Sequence, residues 1–70
     1  MGYVNRNEYK ELDNLLWDTR KKFIDPRDAF ALYERRWAYV DKNKLTRDEL
    51  ALIKLLTEKI GNGYFMPTAA

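Results

Sequence analysis

Nothing in this chain can cross-link it: among its 70 residues there is no cysteine and no histidine. Disulfides are therefore impossible, and thiolate and imidazole, the usual structural metal ligands, are missing. A domain of this size buries only about 60% of the surface its unfolded form exposes, so its core is thin. What the sequence supplies instead is apolar mass, 46% hydrophobic and 14% aromatic residues, with Trp17 and Trp37 the largest. Each buried aromatic side chain removes about 150–250 Å² from water. Basic and acidic residues number 13 and 11, a near balance that, with this hydrophobicity, argues for a folded chain rather than a disordered one.

Helix caps divide the chain. Asn5 can cap a first helix, with Glu8 placed to reach back, and Tyr9, Leu12, Leu16 and Phe23 follow at helical spacing. Arg20, Lys21 and Lys22 suit the negative end of that helix's dipole. Asp25-Pro26 then breaks the chain and opens a second helix, with Pro26 at its first position and Asp28 in its first turn. Phe30, Tyr33, Trp37 and Val40 form one stripe along it. Thr46 and Glu49 make a capping box for a third helix, Leu45 can staple onto Leu50, and Leu50, Ile53, Leu56 and Ile60 make its core stripe. Gly61 is expected to close that helix in the left-handed conformation. The pattern predicts an all-α, compact three-helix bundle forming one domain over residues 1–70, with helices at about 6–22, 26–40 and 47–60. In the tail, Tyr64, Phe65 and Met66 are expected to dock across the helices.

The chemistry is bounded by absences. Without serine, cysteine or histidine, Ser/His/Asp and Cys/His nucleophile arrangements are excluded. No glycine-rich phosphate loop is present. Asp41-Lys42-Asn43 imitates the start of a calcium loop, but the frame then requires Gly and Glu where Thr46 and Leu52 stand. No catalytic residue, cofactor or metal is expected, and the chain reads as a non-enzyme. Met1-Gly2 imitates a myristoylation start, but Arg6 occupies the place of the required Ser or Thr. There is no signal-peptide h-region and no apolar run of membrane-spanning length, so a cytoplasmic location is expected.

Two partner classes remain. Leu32, Arg35, Arg36 and Tyr39 lie on a face of the second helix away from its core stripe, and Trp, Tyr and Arg are the residue types enriched at binding hot spots. Trp17, Leu52 and Leu55 also fall off their stripes. Leu32, Arg35, Arg36 and Tyr39 predict docking on a protein partner or on a second copy of the chain, whereas Trp17, Leu52 and Leu55 read as part of a thick core, since each helix faces two others. The alternative is a nucleic-acid-associated regulator using Arg20, Lys21, Lys22 and Arg27, since phosphate contacts need such basic clusters. A second cluster, Lys42, Lys44 and Arg47, is followed by Asp48 and Glu49, which would set carboxylates against a polyanion where a helix-turn-helix reads bases.

Overall fold

A computed structural model describes residues 1–68. The described residues form a mostly helical fold with three α-helices and a small two-stranded sheet. Strand β1 (Val4–Asn5) leads through a 3-10 turn at Arg6–Glu8 into α1 (Lys10–Leu15). A loop follows, then β2 (Phe23–Ile24), which pairs antiparallel with β1 so that Val4 meets Ile24 and Asn5 meets Phe23. Helices α2 (Pro26–Arg35) and α3 (Arg47–Lys59) complete the frame, separated by 3-10 turns at Trp37–Tyr39 and Lys42–Lys44. Helix α2 packs against both α1 and α3.

The first helix departs most from expectation. In place of a helix over residues 6–22, only Lys10–Leu15 is α-helical. Asn5 does cap, but it caps the 3-10 turn, its side chain accepting the Asn7 amide at 3.0 Å. Tyr9, at φ −133° and ψ 96°, then separates turn from helix. At the far end, the largely buried Arg6 guanidinium donates to the carbonyls of Asp13 (3.2 Å), Leu16 (3.0 Å) and Thr19 (2.7 Å) and pairs with the Asp13 carboxylate. Those carbonyls would otherwise accept the amides of a continuing helix. The chain instead turns back and lays β2 beside β1, burying Val4 and Ile24. Phe23, expected in the helical core stripe, faces solvent because strand side chains alternate and Ile24 takes the inner side.

Helix α2 starts as its sequence requires. The Asp25 side chain accepts the Arg27 amide at 2.8 Å and Pro26 occupies the first turn. The helix stops at Arg35 rather than continuing to Val40, and the 3-10 turn that follows still carries Trp37 and Val40 onto the core. Helix α3 begins where expected, with Thr46 Oγ1 accepting the Glu49 amide at 3.1 Å. Its buried face differs: Glu49, Leu52, Ile53 and Leu56 point inward, while Leu50 is 52% exposed. The Glu49 side chain does not complete a capping box, and the outward Leu50 leaves Leu45 to pack on the core without the expected staple.

At the end of α3 the left-handed residues are Asn62 (φ 53°) and Gly63 (φ 88°), not Gly61. Gly61 is required for space, since a Cβ there would meet the Tyr64 carbonyl oxygen and lie 2.6 Å from Cζ of Phe30. That close approach lets the tail fold back over α2. Phe65 docks edge-on against Trp37, with ring centroids 5.0 Å apart, and the Met66 amide donates to the Glu34 carboxylate at 2.8 Å. Tyr64 and Met66, expected to dock with it, are exposed, and the last two tail residues lie outside the described part of the chain.

Replacing a glycine with alanine ordinarily favours helix by up to about 1 kcal/mol. Gly61→Ala should do the reverse and destabilise the protein by about 1–3 kcal/mol, because the Tyr64 backbone and a packed ring must move. Urea denaturation of the two proteins checks the sign.

Candidate functional site

Exposed aromatic side chains gather where the loop after α1 meets the 3-10 turn after α2. Trp17 stands in that loop and Tyr39 in that turn, 60% and 66% exposed, with ring centroids 5.6 Å apart in an edge-to-face arrangement. Between the two elements lies Arg36. Its guanidinium stacks over the Trp17 ring at 4.1 Å, donates to the Leu15 carbonyl at 2.7 Å, and grips the Asp18 carboxylate with bonds of 3.3 and 2.9 Å. Arg36 thus shares with Arg6 the carbonyls at the C-terminal end of α1 and fixes the tryptophan beside the tyrosine. The bonded guanidinium holds the Asp18 carboxyl below its ordinary value of 3.8.

Of the four residues expected on the outer face of the second helix, Arg36 and Tyr39 belong to this cluster. Arg35 is exposed beside it and borders a separate small groove of about 280 Å³ with Lys21 and Asp28. Leu32 does not belong. It is buried in the core, because α2 is covered by α1 on one side and α3 on the other and so hides more than one stripe. Leu52 is buried for the corresponding reason on α3, and Leu55 is partly exposed. Trp17 was legible as a surplus aromatic, but its meeting with Tyr39 depends on the chain leaving the helix after Leu15.

The basic residues of the competing reading are all on the surface. Arg20, Lys21 and Lys22 lie in the loop before β2 and Arg27 in the first turn of α2. Among the described residues none of the four forms an ion pair, and Lys22 sits 5.5 Å from the centre of the Phe23 ring. No group of three or more Asp and Glu among the described residues is placed to hold a metal ion, and no described helix is long and apolar enough to cross a membrane.

A hydroxyl and a carboxylate meet in the interior. Tyr33 is fully buried and donates to Glu49 at 2.6 Å; burial first, and then that bond, push its hydroxyl far above the ordinary range. The site is thus an exposed aromatic pair fixed by one arginine. Compared with protein-family models, with curated proteins and with solved structures, the chain matches none.

The Arg36–Asp18 pair carries a pH signature. A depressed carboxyl contributes stability that is present above its unfolded value and lost as pH falls through the lower folded value. Arg36→Gln should raise the Asp18 carboxyl toward its ordinary value, because the guanidinium is the largest cause of its depression, read by NMR titration of the side-chain carboxyl. An unchanged titration would show that the pair does not hold in solution.

Proposed function

We propose that this chain is a small, non-enzymatic protein-interaction module acting in the cytoplasm: an adaptor, regulator or inhibitor that docks on a partner protein through Trp17, Arg36 and Tyr39, with Arg35 at the rim. The fold serves it as a three-helix bundle clasped by β1 and β2. The observation that carries this reading is that two large aromatic rings are exposed yet held in fixed relation by the Arg36 contacts. Trp, Tyr and Arg dominate hot spots, and a side chain ordered before binding loses less conformational entropy on docking. The absence of serine, cysteine and histidine is the reason for reading the chain as a non-enzyme.

Regulation through nucleic acid is the second reading. It is favoured by the exposure of Arg20, Lys21, Lys22 and Arg27 without ion-pair partners among the described residues. Capture from a cell lysate on immobilised protein distinguishes the two, comparing the parent, a Trp17→Ala/Tyr39→Ala variant, and a variant with those four basic residues changed to glutamine. Proteins retained by the parent and the glutamine variant but released by the aromatic variant support the proposal. The expected weakening is at least about 2 kcal/mol, or roughly 30-fold. Loss on the glutamine variant, with nucleic acid in the parent eluate, would transfer the function to the basic loop. Retention of the same proteins by all three would overturn both readings.

A further inference from the structure

The segment from Tyr64 to Thr68 lies on the helices in the manner of a bound peptide. The end of α3 is closed before the segment begins, with the Gly63 amide donating to the Thr57 carbonyl at 2.8 Å and the Tyr64 amide to the Gly61 carbonyl at 2.9 Å. Beyond that turn a single ring enters the fold. Phe65 is half-buried against Phe30 and Trp37, with ring centroids 6.1 and 5.0 Å away, while Tyr64, Met66, Pro67 and Thr68 on either side of it are exposed. Past Phe65, the segment's hydrogen bonds among the described residues all go to Glu34 of α2. The Glu34 carboxylate accepts the Met66 amide at 2.8 Å, and the Glu34 carbonyl accepts the Thr68 amide at 2.8 Å and the Thr68 hydroxyl at 3.1 Å. Pro67, which has no amide proton to satisfy, takes the place between them. The walls of this slot are held by contacts that do not involve the segment. Phe30 belongs to the buried core, and Trp37 meets Tyr33 edge-on at 6.5 Å and the Lys42 ammonium at 5.3 Å. Tyr33 in turn is fixed by the Glu49 carboxylate. The Glu34 carboxylate forms no ion pair among the described residues, which leaves it to a main-chain donor.

We propose that this slot binds an extended segment of a partner protein, one aromatic residue followed two places on by Pro and three places on by Thr or Ser, and that Tyr64–Thr68 is its internal occupant, an autoinhibitory strap. One buried anchor side chain, with main-chain hydrogen bonds beside it, is a way in which grooves hold extended peptides. The incoming ring takes the place of Phe65, the next amide donates to the Glu34 carboxylate, and the hydroxyl reaches the Glu34 carbonyl. The short turn through Asn62 and Gly63 tethers the strap beside its slot, at an effective concentration on the order of 1 mM. A partner must displace it, and its apparent affinity falls in proportion to the fraction of chains whose slot is open. The slot uses none of Trp17, Arg36 and Tyr39, and it can be filled whether or not that surface binds a protein.

Fluorescence anisotropy with a labelled peptide of the strap's own sequence, Gly-Tyr-Phe-Met-Pro-Thr, tests the site on the full chain carrying Phe65→Ala, which empties the slot. The peptide should bind and shift the Trp37 indole signal in NMR, and a copy with alanine in place of phenylalanine should bind at least about tenfold more weakly. Adding Glu34→Ala should weaken binding by about threefold or more. The parent should bind the peptide at least about tenfold more weakly than the Phe65→Ala chain, because its own strap fills the slot. In the parent, the Met66 and Thr68 amides should exchange through local opening, well before the Leu56 amide. No binding at about 1 mM peptide, binding indifferent to the loss of the peptide's phenylalanine, or equal binding by parent and variant would overturn the inference. So would Met66 and Thr68 amides as protected as that of Leu56, or a Phe65→Ala chain that no longer folds, since the segment would then belong to the core. A parent that sediments as a dimer, and as a monomer once Phe65 is replaced, would give the slot to a second copy and overturn it as well.

Discussion

The buried carboxylate of Glu49 is the contact on which the rest of the fold depends. It has no solvent exposure, and it is fully engaged. Oε1 accepts the Glu11 amide at 3.1 Å, and Oε2 accepts the Leu12 amide at 2.8 Å and the Tyr33 hydroxyl at 2.6 Å. One side chain of α3 therefore caps α1 and holds α2. An isolated buried carboxylate would be prohibitive in free energy, but here the first-turn amides and positive dipole end of α1 surround it. Helix α1, six residues long, is too short to persist alone. Its N-terminal amides are satisfied by Glu49, and its C-terminal carbonyls by Arg6 and Arg36. Glu11, equally buried, extends the chain of contacts by accepting the Asp41 amide at 2.8 Å.

This arrangement explains which parts of the fold the sequence disclosed. Caps made by near neighbours, Asp25 for α2 and Thr46 for α3, were legible because donor and acceptor lie within one turn. Caps made across the fold were not. Glu49 looks like a surface capping-box residue, and placing it outside rotates the α3 wheel so that Leu50 appears to face the core. Placing it inside makes Leu52, Ile53 and Leu56 the buried face, as found. Arg6 likewise reads as a solvent residue of a long helix, whereas its guanidinium ends that helix and gathers the loop after it. Helical periodicity over Tyr9, Leu12 and Leu16 was real, but periodicity does not reveal that distant charges have taken the carbonyls.

The candidate surface was partly legible for the same reason. Arg36 and Tyr39 stood off the stripe of the second helix, and both lie on the surface cluster. Leu32 was misplaced because a helix between two others buries more than one stripe. Trp17 entered through the loop that Arg6 and Arg36 shape. Buried charge thus organises the interior and, through Arg36, presents the aromatic rings outside.

Hydrogen exchange at the amides of Glu11 and Leu12 tests the Glu49 account most directly. First-turn amides of a helix have no partner within the helix and ordinarily exchange through small local openings. With Glu49 as their buried acceptor, both should exchange as slowly as amides in the middle of α3, such as that of Leu56, opening only when the fold as a whole opens. Rapid exchange at Glu11 and Leu12 while Leu56 remains protected would show that Glu49 does not hold α1, and the account would fail.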